Sequence, residues 1–137
     1  KTPVDGKSFM SEGNPAIVLS LKYKRLDNFA FTIMHELGHV FLHLTKKHKE
    51  DSFFINSSKN SILEFEANQF ARNALIPQEE WENFEYSTEV FSDNLIRKFA
   101  RKIKVHPAIV RGRVCFEYNN YYRRKSNITQ ENKINFG

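Results

Sequence analysis

Apolar residues recur at helical spacing between residues 27 and 44. They stand three or four positions apart, at Phe29, Ile33, Leu37, Val40, Phe41 and Leu44. Because residues at i, i+3 and i+4 share one face of a helix, the pattern predicts an amphipathic helix over residues 27–44. Asp27 or Asn28 suits the N-cap of this helix, and Lys46 and Lys47 suit its last turn.

A second helix is predicted over residues 61–76. Ser61 and Glu64 form a capping box at its start, and Pro77 marks its end. One stripe of this helix steps by four residues and contains Ile62, Glu66, Phe70 and Ala74. Since carboxylates are almost never buried without a partner, Glu66 on this otherwise apolar stripe is expected to bind a metal or to pair with a lysine or arginine.

The rest of the chain predicts shorter elements. In chain order these are strands at residues 16–21 and 52–56, a short helix around Trp81, a helix over residues 95–103 capped by Ser92, and a helix that Pro107 opens. A mostly helical chain with a small sheet belongs to the α+β class. The last two predicted helices are similar in arrangement to a helix-turn-helix pair.

Length and composition place the chain among globular proteins. With 137 residues and a 40% hydrophobic share, it predicts one domain over residues 1–125 and a polar, flexible tail over residues 126–137. The single cysteine, Cys115, cannot form an internal disulfide, which fits a reducing cytoplasm. No apolar run approaches the roughly 20 residues of a membrane span, so a cytoplasmic protein without a membrane partner is expected.

Positive charge is concentrated near the C-terminus. The formal net charge is +5, and between residues 95 and 125 Glu117 is the only acidic residue. A basic helical region over residues 92–125 can meet nucleic acid, bind an acidic protein or simply face solvent. We favour the solvent-facing interpretation over DNA contact.

The strongest chemical signal is the segment His35-Glu36-Leu37-Gly38-His39. Two histidines at i and i+4 lie on one helix face and can bind one zinc ion, while Glu36 holds a water as general base. The simpler alternative is a pair of histidines at the edge of the core, hydrogen-bonded to neighbours. Gly38 costs about 1 kcal/mol against alanine in a helix interior, which predicts that another part of the chain approaches the helix there.

A catalytic zinc site requires a third protein ligand. Leu42 and Thr45 stand where a glycine and a third histidine would follow in one known class, so that class is excluded. His43 lies about 12 Å along the helix from His35, too far for convergence on one ion, and is read as a surface histidine or one that supports a ligand. Glu66 is therefore the predicted third ligand, with Glu64 left to its capping role.

These segments resemble the ImmA/IrrE family of zinc metallopeptidases. The residues that carry the resemblance are 31–39, 66–71 (Glu-Ala-Asn-Gln-Phe-Ala) and 75–77 (Leu-Ile-Pro), supported by 15–20 upstream. Residues 105–113 are similar to a segment found in members fused to helix-turn-helix regulators of the HigA antitoxin type. The resemblance implies a zincin-like fold in which His35, His39 and Glu66 bind zinc and Glu36 is the base.

The resemblance also implies a function. The chain resembles family members that are endopeptidases and cut a helix-turn-helix repressor or antitoxin during a stress, phage or mobile-element response. An extended substrate would lie along an edge strand near residues 17–21, and His106 and Tyr86 are weak candidates for a second electrophile. Zinc is the expected metal, although manganese or iron accept the same donors.

The alternative from a different class is a non-catalytic sensor or dimerisation domain of a DNA-binding antitoxin-type regulator. The similarity over residues 105–113 supports it. The chain begins at Lys1 rather than at methionine, so a DNA-binding domain upstream is an open expectation.

Overall fold

The computed structural model describes residues 6–20, 24–45 and 60–135. Its elements are β1 (Gly6–Ser11), β2 (Asn14–Leu19), α1 (Leu26–His39), a π-helical turn (Val40–Leu44), α2 (Asn60–Leu75), α3 (Gln78–Tyr86), α4 (Asp93–Ile103), α5 (Pro107–Glu117), a 3₁₀ turn (Asn119–Arg123) and α6 (Ile128–Glu131). The predicted zincin-like α+β class, mostly helical with a small sheet, is confirmed. No helix of the described ranges is long and apolar enough to cross a membrane.

Strands β1 and β2 form an antiparallel hairpin. Gly6 pairs with Leu19 at its open end and Ser11 with Asn14 at its turn. The two turn residues, Glu12 and Gly13, both have positive φ, which matches the right-handed twist of the strands. The hairpin confirms a strand in the region predicted at 16–21, whereas the prediction at 52–56 lies outside the described residues.

Helix α1 confirms the first predicted helix, but its start differs from the prediction. The Phe29 N–H donates to the Arg25 carbonyl at 2.9 Å, so Arg25 occupies the N-cap position. The expected cap at Asp27 or Asn28 is therefore wrong. Asp27 lies in the first turn instead, where a carboxylate is favoured by the helix dipole.

The helix changes pitch after His39. The Thr45 N–H donates to the Val40 carbonyl at 3.0 Å, five residues back, which closes a π-helical turn over Val40–Leu44. The Thr45 hydroxyl donates to the same carbonyl at 2.9 Å and stabilises the widened turn.

The structure divides into two compact units, and the single domain over residues 1–125 stays a prediction. The first unit draws on residues 1–23 and 31–74, and the second on residues 24–30 and 75–137. Helix α1 contributes residues to both units.

Aromatic rings fill the core of the second unit. Phe84 stacks on Phe99 with ring centroids 4.2 Å apart, and Trp81 stacks on Phe91 at 6.1 Å. Aliphatic residues complete this core, including Ile76, Ile96, Val110 and Val114. Because aromatic side chains bury the largest areas, these rings supply much of the stability of the unit.

Helices α4 and α5 confirm the predicted C-terminal pair. The Leu95 N–H donates to the Ser92 hydroxyl at 3.3 Å, as expected for an N-cap, and Pro107 opens α5. Lys104 has left-handed backbone geometry and ends α4.

Residues 126–135, which belong to the predicted tail, include two residues with well-defined contacts. Ile128 is fully buried in the core of the second unit. The Asn132 side chain donates to Asp27 Oδ1 at 2.8 Å and accepts from the Asp27 N–H at 2.9 Å. Both contacts depend on distant parts of the chain, so the polar composition of this segment does not reveal them.

Candidate metal centre

Helices α1 and α2 are in close contact at Gly38. A Cβ at this position would lie 3.2 Å from the Ala67 Cα and 3.1 Å from the Phe70 Cδ1. Any larger residue at position 38 would push α2 away, which confirms the close approach predicted from this glycine. Since Glu64 lies one turn before Ala67, the same contact brings Glu64 towards the histidines of α1.

Three side chains of the first unit meet at this contact. Glu64 Oε1 lies 3.0 Å from His35 Nε2, and Glu64 Oε2 lies 2.7 Å from His39 Nε2. One donor atom from each of His35, His39 and Glu64 lies within 4.8 Å of the other two. Two imidazoles and a carboxylate that converge in this way could hold a metal ion.

The structure places Glu66 elsewhere. Its Oε1 lies 2.9 Å from His43 Nε2, and half of its side chain is exposed. Glu66 is therefore outside the group formed by His35, His39 and Glu64. The burial expected from its apolar stripe is wrong, because that stripe also carries Ile62, which is 62% exposed.

A signal for Glu64 was present in the sequence. Ala67 and Ala71 stand three and seven residues after Glu64 and are fully buried. Small residues at that spacing mark the face of α2 that can approach a glycine closely, and Glu64 shares this face. The size of the residues, rather than their hydrophobicity, indicates which glutamate faces α1.

Glu36 lies beside the three donors. It is buried, with 5% of its surface exposed, and its Oε2 is 4.0 Å from His35 Nε2. A Cβ at Gly6 would lie 3.1 Å from the Glu36 Cγ and 2.9 Å from the Thr32 Cγ2, so the start of β1 packs against this turn of α1. The strand thus fixes the stem of the carboxylate predicted to be the general base.

The two histidines have different surroundings. Burial lowers the pKa of His39, and the nearby Glu64 carboxylate offsets part of that effect. A lowered pKa favours the neutral imidazole, which is the form that binds metals. His35 stacks on Phe31, and its buried Nδ1 has no hydrogen-bond partner among the described residues.

His43 contacts a predicted ligand without joining the donor group. Its Nδ1 lies 3.0 Å from His39 Nδ1, and its Nε2 faces Glu66. This placement agrees with the argument that His43 is too far along the helix to converge with His35. Its side chain is only 9% exposed, which does not fit a surface histidine, and its contact with His39 is compatible with the supporting role that the sequence left open.

The weak candidates for a second electrophile belong to the second unit. His106 Nδ1 accepts from the Ala108 N–H at 3.0 Å and caps α5. Tyr86, at the end of α3, is 95% exposed. His106 therefore has a sufficient structural role, and within the described ranges Tyr86 shows no contact that favours the assignment.

The arginines of α5 are used within the second unit. Arg111 donates to the Tyr121 and Arg124 carbonyls at 2.9 and 3.1 Å. Arg113 pairs with Glu117 at 2.7 Å and lies over the Trp81 ring. Residues 107–115 of α5 are all buried or half-buried, so both arginines lie against other parts of the second unit.

Comparison with known proteins identifies a family for this chain. A family model described as the IrrE N-terminal-like domain, from a peptidase family, matches residues 1–114. No curated protein matches the chain. The matched range covers most of the chain and includes His35, Glu36, His39 and Glu64.

Proposed function

The chain belongs to the IrrE N-terminal-like family of peptidases and contains a metallopeptidase-type domain, and from that premise we propose that it is a zinc-dependent endopeptidase. One observation carries the proposal: the donors of His35, His39 and Glu64 converge within 4.8 Å. Glu36 is buried next to them, and a base that acts on a bound water has to lie close to the metal ligands.

Glu64 is the third ligand in this proposal, in place of the Glu66 predicted from the sequence. The Nε2 atoms of His35 and His39 both face the Glu64 carboxylate, and each contacts a different oxygen of it. Zinc is the natural occupant of a site with two imidazoles and one carboxylate, and manganese or iron can be bound by the same donors.

Catalysis then follows from the residues around the site. A bound zinc ion would polarise the scissile carbonyl and lower the pKa of its water towards ~7. Glu36 takes a proton from the attacking water and delivers it to the leaving amine. Packing against β1 keeps the Glu36 stem in place, so little reorganisation is needed during the reaction.

The proposed substrate is a helix-turn-helix repressor or antitoxin. The support is the resemblance carried by residues 31–39 and 66–71, whose family members cut such proteins. An extended substrate segment can add to the sheet at β2, where Val18 is 57% exposed. Backbone pairing of this kind accepts many sequences, so specificity would come from the side chains around the metal.

The test combines metal content with cleavage. Elemental analysis of protein purified without chelators should find about one zinc per chain, and Glu64→Gln should lose it. Zinc-loaded protein is then incubated with a purified helix-turn-helix repressor, with and without a chelator, and new N-termini are identified by mass spectrometry. Wild-type protein that stays metal-free after zinc addition would overturn the proposal.

A second candidate is a non-catalytic sensor or dimerisation domain of a DNA-binding regulator. The similarity of residues 105–113 to antitoxin-fused members favours it. Zinc binding without cleavage of any repressor, together with a zinc-dependent change from monomer to dimer in light scattering, would support this candidate over the peptidase.

A further inference from the structure

We propose that His43 and Glu66 are positioning residues that hold His39 in the orientation and tautomer needed to bind the metal. A chain of two contacts runs from Glu66 through His43 to His39. The inference rests on the proposed metal site and assigns a role to two residues outside its donor group.

The geometry of the chain is continuous. His39 Nδ1 lies 3.0 Å from His43 Nδ1, and His43 Nε2 lies 2.9 Å from Glu66 Oε1. The His43 side chain is only 9% exposed, although it lies near the end of its helix. Both distances are those of ordinary hydrogen bonds between ring nitrogens and their partners.

Metal binding by His39 leaves one arrangement of protons. With Nε2 used for the metal, the remaining ring proton is on Nδ1 and is donated to His43 Nδ1. His43 then carries its own proton on Nε2 and donates it to the Glu66 carboxylate. Every donor meets an acceptor and both rings are neutral, which is how carboxylate–histidine pairs raise the basicity of a metal ligand.

The π-helical turn contributes to this arrangement. It begins at Val40, directly after His39, and is closed by the two hydrogen bonds of Thr45 to the Val40 carbonyl. The wider turn changes the rotation between positions 39 and 43 from that of a regular helix. Single π-helical turns are frequent at functional sites, and here the turn presents His43 to His39.

The support is one-sided. His35, the other histidine of the donor group, has no hydrogen-bond partner on its buried Nδ1 among the described residues. The chain through His43 therefore acts on one ligand only, and its loss should weaken the site rather than abolish it.

The first experiment measures zinc affinity by competition with a chromophoric chelator. Glu66→Gln and His43→Leu should each weaken zinc binding by about 10–100-fold, the range found when such supporting partners are removed. The double variant should bind zinc as tightly as His43→Leu alone does, because the two residues act as one chain. Glu79→Gln, an exposed glutamate of α3, is the matched control and should bind zinc as the wild type does.

A conservative variant separates positioning from packing. Asparagine at position 43 keeps an oxygen near the place of the histidine Nδ1, so it can still accept from His39. His43→Asn should therefore bind zinc more tightly than His43→Leu. Equal losses in the two variants would show that only the shape of the ring matters and would overturn the proposal.

The tautomers provide a readout that needs no variant. In zinc-loaded wild-type protein with ¹⁵N-labelled histidine, NMR should find His39 protonated on Nδ1 and His43 protonated on Nε2 alone. A proton on His43 Nδ1 would contradict the chain.

The outcomes are distinguishable from failure of the proposed function. Wild-type protein that binds no zinc overturns both proposals. Zinc bound normally by wild type, Glu66→Gln and His43→Leu overturns only the positioning role. Zinc lost in Glu66→Gln but retained in both Glu64→Gln and His43→Leu would instead make Glu66 a direct ligand.

Discussion

At the scale of single residues, Glu36 combines burial with a place beside the donors. Its side chain points to the same region as His35 Nε2, 4.0 Å away, yet it is not one of the three converging donors. A carboxylate in this position can hold and deprotonate a water without competing for the metal.

Glu36→Gln should therefore separate chemistry from metal binding. The amide keeps the shape of the side chain but cannot accept the proton, so cleavage should fall by about 10²–10⁴-fold. Zinc content by elemental analysis should stay at the wild-type level. Loss of zinc in this variant would mean that Glu36 is a ligand rather than the base.

Tyr118 provides a pH-dependent test in the second unit. Its hydroxyl donates to Glu85 Oε2 at 2.5 Å, and this hydrogen bond is the main cause that raises the pKa of Tyr118 to about 12. In the unfolded chain the Tyr118 hydroxyl ionises near pH 10. The stabilising effect of its hydrogen bond to Glu85 is therefore complete below pH 10. It is lost as the pH rises from about 10 to about 12.

Urea denaturation across that range should show the loss directly. The free energy of unfolding of the wild type should fall between pH 10 and pH 12 by more than that of Tyr118→Phe. Parallel curves for the two proteins would indicate that the contact with Glu85 is absent in solution.

Residue spacing was sufficient to locate most of the candidate site. His35, Glu36 and His39 follow from one pattern on one helix, and the structure brings His35 and His39 together. The third donor lies on another helix, and Glu64 and Glu66 differ there by about 200° of rotation. Hydrophobicity could not choose between them, because what orients α2 is the close contact of Ala67 with Gly38.

At the scale of elements, the crossing of α1 and α2 is set by Gly38. Gly38→Ala gains about 1 kcal/mol of helix propensity but places a Cβ against the Ala67 backbone, and overpacking costs about 1–3 kcal/mol. The backbone cannot yield without moving α2, so we expect a small net destabilisation. Because Glu64 moves with α2, Gly38→Ala should reduce the free energy of zinc binding by more than it reduces the free energy of unfolding.

The two effects are measured by urea denaturation of protein without zinc and by chelator competition. Gly38→Val is the graded comparison and should be worse in both assays. Unchanged zinc affinity in Gly38→Ala would show that α2 adjusts without displacing Glu64.

Arg111 of helix α5 and the exposed Arg101 of helix α4 should differ in their effect on the stability of the second unit. Arg111 donates to Cys115 Sγ as well as to two carbonyls, so Arg111→Ala should lower the free energy of unfolding by about 2 kcal/mol. Arg101 is exposed on α4, and Arg101→Ala is the control, with an expected change within about 0.5 kcal/mol. Urea denaturation followed by circular dichroism would compare them, and equal effects would refute the structural role of Arg111.

Element boundaries were predicted where local chemistry fixes them. Ser92, Pro107 and Pro77 end or begin helices by hydrogen bonding or by steric exclusion, which act within a few residues. The π-helical turn and the packing of Ile128 could not be predicted, because they depend on contacts between distant parts of the chain. The buried Ile128 is one such contact.

At the scale of the whole molecule, the proposed zinc ligands lie in one unit and the only tryptophan, a fluorescent probe, lies in the other. His35, His39 and Glu64 belong to the first unit, while Trp81 is buried in the core of the second. Helix α1 runs through both units, with Leu26 in the second and His39 in the first. We therefore expect the two units to unfold together.

Zinc should then stabilise the unit that contains Trp81 as well as the unit that contains its proposed ligands. At a free concentration of 100 times its dissociation constant, a ligand of the folded state adds about 2.7 kcal/mol of stability. The unfolding midpoint from Trp81 fluorescence should shift with zinc as far as the midpoint from circular dichroism. A fluorescence midpoint that ignores zinc would show that the units unfold independently.

The contact between Asp27 and Asn132 has a consequence for how the protein is made. The two residues are 105 positions apart, and the second unit contains both. A ribosome adds about 5–20 residues per second, so the start of α1 waits roughly 5 to 20 s for its partner to be synthesised. The residues of the first unit have all been made by Ala74, so the half of the protein that contains the donor group can begin to fold during synthesis, before the half that contains Trp81.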